Sequence, residues 1–205
     1  MCPQDTRVSE SWLCWIAAQS ACSFEHMKIE TATISRLRDA LLASGRRPTV
    51  VLSPAYETLT REGLLSQEET MALSRIDPLA ETMFLMMSAD GKIAEAERDV
   101  VRGAVRGLSD NLLRSGTINV MLENYGKRLE EQGRDARLQE IADEIAEEPS
   151  EAEGAFALAA AVALADEEIA DEENELINQL ADWFGISEDR ASEILDQLEE
   201  DKEEG

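Results

Sequence analysis

Residues 89–97 read ADGKIAEAE, and residues 165–173 read ADEEIADEE. In each copy a helix-like apolar run leads into Ala-Asp. An Ile follows three residues after the Asp, and a Glu follows seven after it. The paired carboxylates are Asp90/Glu97 and Asp166/Glu173, with Ile93 and Ile169 at the matching apolar position. Two copies of one helix–turn–helix phrase, 76 positions apart, predict a helical domain with internal pseudo-symmetry. Such symmetry is also a way to bring four carboxylates together.

The rest of the chain agrees with helix. Aromatic residues make up 4% of it, while Ala, Leu and Glu are abundant, a balance that favours helix over sheet. At 205 residues there is enough chain for one domain with a true core and an appendage. The apolar spacing and stop signals predict an all-α, compact domain of eight to ten short helices. Ile34, Leu37, Leu41 and Leu42 mark a first helix, stopped by Gly45 and Pro48. Thr49 to Leu52 is a β-branched run without a partner run, so no sheet is expected. Ser53-Pro54 reads as a cap with a first-turn proline. Ser66 and Glu69 form a capping box, and Asp77-Pro78 reads as the opening of the next helix.

A helix over about Ala94 to Leu108 follows the first acidic phrase. Thr117 then reads as a cap, Gly133 as a separator and Ser150 with Glu153 as a second capping box. Gly185 ends a helix, and Ser187 caps the last one. The Ala-rich stretch 151–165 is apolar all round, the pattern of a central buried helix. Met83, Met86 and Met87 fall at helical spacing and read as core, and Trp183 and Phe184 read as anchors for the last two helices. Arg98, Arg102 and Arg106 recur every fourth residue and read as a solvated basic face.

Charge narrows the partners. The net charge is −25, and it is uneven. Residues 138–205 hold 24 acidic and 2 basic side chains, a net of −22, while residues 1–137 hold 20 acidic and 17 basic, a net of −3. Such a surface repels phosphate backbones and anionic lipid, so nucleic acid and direct membrane binding are disfavoured. Cations and basic faces of other proteins are the natural counterparts. No apolar run reaches membrane-spanning length. Trp12 to Ala18 is a short apolar stretch, but the acidic residues before it do not make a signal peptide. Met27 reads as an alternative start, with residues 1–26 either poorly ordered or foreign to the domain. Cys2, Cys14 and Cys22 all lie there and set up no disulfide framework, so a reducing cytoplasm is the expected compartment.

As chemistry, the phrases suit a hard divalent cation such as Ca²⁺, Mg²⁺ or Mn²⁺, which takes carboxylate oxygens. Zinc is disfavoured: the single His26 and the cysteines are remote in sequence, and Cys22-x-x-x-His26 near a chain end is ordinarily incidental. Asp90 to Glu97 matches the second half of an EF-hand loop, but Met86 and Ser88 stand where its first ligands belong. In the second copy Val162 and Leu164 stand there, and Glu167 replaces the glycine. A cation would therefore bind between the copies. Glu95, Glu97 and Asp171 to Glu173 are partly explained by helix N-terminus electrostatics and capping alone; repetition of the whole phrase is not covered by it. No nucleophile–base pair, phosphate loop or dinucleotide fingerprint appears, so a non-enzymatic module is favoured.

The apolar helix, Ala-Asp-Gly-x-Ile and following Glu resemble the TerB family of tellurite-resistance proteins, and are similar to the N-terminal region of DjlA-type co-chaperones. The second copy, Ala165 to Glu173, with Leu176, Ile177 and the Trp183-Phe184-Gly185-Ile186-Ser187 ending, resembles the family's second repeat. The resemblance covers about residues 77–199. It implies an all-α domain of two pseudo-symmetric helix–turn–helix repeats with an acidic surface. It also implies a role in tellurite and chemical-stress resistance, stress-response partners with basic surfaces, and divalent metal at Asp90, Glu97, Asp166 and Glu173. Glu167, where the first copy has Gly91, departs from a symmetric turn. The organisation expected is thus an N-terminal segment 1–26, a helical extension 27–76, the TerB-like domain 77–199 and a disordered acidic tail 200–205. An acidic interaction adaptor without metal is an alternative. A metal-dependent hydrolase working through these carboxylates is a third reading, for which the sequence marks no nucleophile.

Overall fold

The computed structural model describes residues 31–43, 54–88, 95–145, 149–164 and 171–204. These residues form nine helices and no strand: α1 (Thr31–Ala43), α2 (Pro54–Arg61), α3 (Gln67–Met87), α4 (Glu95–Leu108), α5 (Ser115–Gln132), α6 (Arg134–Ile145), α7 (Pro149–Ala163), α8 (Asp171–Trp183) and α9 (Glu188–Glu204). The run Thr49–Leu52 lies outside the described residues.

Two helices organise the core. α3 and α7 make the most extensive pairing in the molecule. α7 is buried almost all round, as its alanine content predicts, with Ala155, Phe156, Leu158, Ala159 and Ala160 fully enclosed. At its first turns Gly154 leaves room for Leu79 of α3, whose Cδ2 would stand 3.1 Å from an added Cβ. Around this pair, α4, α5 and α6 pack on α3, and α1, α6, α8 and α9 pack on α7. Met83, Met86 and Met87 are core residues.

α3 is longer than the sequence suggests. Its start is the Ser66–Glu69 box: Glu69 N–H donates to Ser66 Oγ at 3.1 Å, and Ser66 N–H donates to Glu69 Oε2 at 2.8 Å. Asp77-Pro78, expected to open a new helix, lies inside this one. An interior proline removes one N–H and costs about 3 kcal/mol. Burial of Leu73, Ile76 and Leu79 around it outweighs that cost, and Thr82 Oγ1 donates to the Pro78 carbonyl at 2.8 Å.

Three further expectations are corrected. Thr117 is no cap: α5 begins at Ser115 after Arg114, whose side chain makes no cap bond, and Thr117 is buried. Ser150 lies within α7, because Pro149 already occupies the first helical position that suits its fixed φ. The terminal residues are not a loose tail. α9 runs through Glu204, and Asp201 is held by α1, accepting from Thr33 Oγ1 at 2.7 Å and pairing with Arg36 at 2.6 Å. Gly185 (φ 67°) and Ser187 behave as expected: Ile186 N–H reaches back to the Ala181 carbonyl at 2.9 Å, and Ser187 Oγ accepts from Arg190 N–H at 3.3 Å.

α1 joins the same core through Ile34 and Leu37. Its seat on α4 depends on Gly107, where an added Cβ would lie 2.5 Å from Ile34 Cγ2. Ile34 is β-branched and cannot swing that methyl aside. Gly107→Ala is expected to lower stability by about 1–2 kcal/mol despite its better helix propensity. Gly103→Ala, with open space around the new methyl, is expected to raise stability by up to about 1 kcal/mol. Urea denaturation of the two variants checks the contrast.

Candidate functional site

Each acidic phrase connects two consecutive helices that pack on one another: α3 with α4, and α7 with α8. Glu97 and Glu173 each occupy the third position of the second helix. Carboxylates in a first turn are stabilised by the N-terminal end of the helix dipole. The same positive end opposes a cation, so any metal would need oxygens from outside that turn. Asp90 and Asp166 lie outside the described residues, as do the side chains of Glu97 and Glu173, His26 and the three cysteines. Among the described residues no group of three or more His, Cys, Asp or Glu is arranged to hold a metal ion.

The polar constellation that the fold does assemble is elsewhere. Asp77 and Glu81 are four residues apart and so share one face of α3. Glu81 is fully buried. Arg137 of α6, itself buried, grips it in a two-pronged contact, Nε to Oε1 at 2.9 Å and Nη2 to Oε2 at 2.9 Å. Arg128 of α5 donates to Glu81 Oε2 as well. Arg137 extends the chain outward to Glu140 and Glu144, each at 2.9 Å. Asp77 Oδ1 accepts two phenol hydroxyls, from Tyr56 of α2 at 2.7 Å and from Tyr125 of α5 at 2.8 Å. Its other oxygen lies 3.9 Å from Arg128. Phe84, one turn beyond Glu81, meets the Tyr125 ring edge-on with centroids 5.5 Å apart.

These contacts set the protonation states. Burial pushes Asp77 up to about 6, and the neighbouring charge of Glu81 pushes the same way, against the hydrogen bond from Tyr56 and the charge of Arg128. Burial also raises Tyr56 and Tyr125, and the charge of Asp77 adds to it, so both remain donors. Burial disfavours the charge on Arg137, but its hydrogen bonds to Glu81 and Glu144 outweigh that and raise it. The arrangement binds α2, α3, α5 and α6 together.

The arginines of α4 are not a free solvated face. Arg102 reaches Glu95 and Asp99, each at 2.7 Å, and Asn119 at 3.2 Å. Arg106 donates to Ser115 Oγ at 3.1 Å, and the Arg98 guanidinium lies 5.9 Å from the Phe84 ring centre.

The family model described as Tellurite resistance protein TerB matches residues 76–196, which contain both acidic phrases. The chain belongs to the TerB family. No curated protein and no solved structure matches it. The TerB match begins at Ile76, inside α3, and leaves α1, α2 and the last residues of α9 outside. No described helix is long and apolar enough to cross a membrane.

Sequence reasoning passed over Glu81, Arg128 and Arg137. The signal was present: Glu81 interrupts an apolar stretch from Leu79 to Met87, and a charge there needs a partner. Glu81→Ala leaves two arginines without their shared carboxylate and is expected to cost about 3–5 kcal/mol. Glu144→Ala, at a half-exposed site, is expected to cost under about 1 kcal/mol. Chemical denaturation distinguishes them.

Asp77 also gives a pH signature. Its folded value exceeds the ordinary 3.8, so the native state holds this proton more tightly than the unfolded chain. The resulting stability is full below about pH 4 and is lost as pH rises through 6. Asp77→Asn lacks this loss. It is expected to gain on the parent protein by up to about 3 kcal/mol between pH 4 and pH 7, read from paired denaturation curves.

Proposed function

We propose that this TerB-family protein is a non-enzymatic cytoplasmic stress-response module that binds a divalent cation through its repeated acidic turns. Asp90, Glu97, Asp166 and Glu173 supply the oxygens, and Ca²⁺, Mg²⁺ or Mn²⁺ is the guest. The observation that carries the reading is that one TerB match spans both phrases, while each phrase joins a pair of helices packed on each other, with its Glu at the same helical position. Hard oxygen donors suit these ions, and the −22 charge of residues 138–205 draws cations towards this half of the chain.

A second reading is an adaptor for basic surfaces of other stress-response proteins, including tellurite-resistance components. It is favoured by the exposed carboxylates of α8 and α9, among them Glu175, Asp189, Glu193 and Glu199. Calorimetric titration with each ion separates the two. Saturable binding is expected for the parent protein, weakened at least about tenfold by the double variant Asp90→Ala, Asp166→Ala. Equal binding by both proteins removes the metal site. A partner interaction that weakens with salt and ignores chelator supports the adaptor instead.

A further inference from the structure

Four large apolar side chains stand exposed among the described residues: Leu42, Leu64, Met71 and Leu112. Three of them, Leu42, Met71 and Leu112, line one groove of about 230 Å³ between α1, α3 and the α4–α5 connection. Its floor includes Ile76 and Leu108, both buried. That volume lies below the roughly 300–1,000 Å³ usual for small-molecule sites and suits one or two large side chains. Its rim carries Arg38 and Arg75 against Glu68 and Asp110, a local balance of zero on a chain of net charge −25. Arg38 lies 3.4 Å from Asp110 across this edge. Leu42 is 62% exposed, an unusual position for a leucine whose neighbours are also apolar.

The chain holds a matching apolar run. Trp12-Leu13-Cys14-Trp15-Ile16-Ala17-Ala18 is uncharged, and its two indoles are three residues apart. It lies just upstream of α1, on which Arg38 and Leu42 are carried. From Thr31 to Leu42 the helix advances about 16 Å. The intervening residues 19–30 can span about 40 Å when extended, so the run reaches the groove with slack. Being neutral, it meets no repulsion there, whereas a second copy of so acidic a chain would bring its own −25 to the contact.

We propose that the groove of Leu42, Met71 and Leu112 is the docking site for residues 12–18 of the same chain, with Trp12 or Trp15 as the inserted anchor. Burying an indole removes a large apolar area from water, and one rigid ring loses little rotamer freedom. The N-terminal segment then becomes part of the fold, clamping α1 onto α3.

Disulfide trapping in the full chain tests this. With Cys2→Ser and Cys22→Ser, Cys14 is the only thiol. Adding Met71→Cys is expected to give an intrachain cross-link under mild oxidation, at least tenfold faster than adding Glu131→Cys. Glu131 is exposed at the far end of α5, about 24 Å along that helix from Ser115. Equal rates at the two positions, or cross-links only between copies, overturn the proposal. A second readout does not depend on the thiols. In a Trp183→Phe background, Leu42→Asp is expected to shift the remaining tryptophan emission to the red and at least double its quenching by acrylamide. Leu42 is exposed, so the aspartate leaves the core intact. Unchanged emission and quenching also overturn the docking.

Discussion

The structure depends on α3 satisfying two opposite demands at once. One side of this helix, marked by Leu79, must lie close to α7, and the small side chains of α7 permit that approach. The other side carries Asp77, Glu81 and Phe84 towards α2, α5 and α6. Helical geometry separates the two sides: Leu79 falls roughly 160–200° around the axis from Asp77 and Glu81. The apolar side is driven by burial and has no direction of its own. The polar side is directional, because Glu81 is enclosed and only a correctly placed guanidinium satisfies it. Burial brings the helices together, and the carboxylate fixes which residues of α5 and α6 they present.

Much of this architecture can be read from residues. The capping box at Ser66 and Glu69, the glycine stop at 185, the Ser187 cap and the alanine-rich, buried α7 each have a local physical cause, and each is found where the sequence puts it. The misreadings share a different cause. Pro78 and Thr117 carry local signals for helix starts, but tertiary burial of their neighbours overrides those signals. The terminal acidic residues look solvated until Thr33 and Arg36, far away in sequence, give Asp201 something to hold. The Glu81 network was hidden for the same reason. Its members lie 47 and 56 positions apart, and a carboxylate in a helix does not announce its partner's address.

The acidic phrases illustrate how like charge is distributed. The chain spends its few basic residues carefully: Arg137, Arg128 and Arg102 each serve more than one carboxylate. In the C-terminal half, Arg190 pairs with both Glu153 and Glu193, tying α9 to α7. Among the described residues, most remaining carboxylates of α8 and α9 face water, where screening makes their repulsion tolerable.

The clasp of Thr33 and Arg36 on Asp201 has a consequence for where this molecule can be divided. All three residues fall beyond the TerB match, on opposite flanks of it. A fragment trimmed to residues 76–196 would begin halfway along α3, lacking the Ser66 cap and the Tyr56 hydroxyl, and would strip the cover from the α4 and α7 surfaces where Ile34 and Leu37 sit. The family match thus stops short of contacts that join the two flanks of the chain to each other.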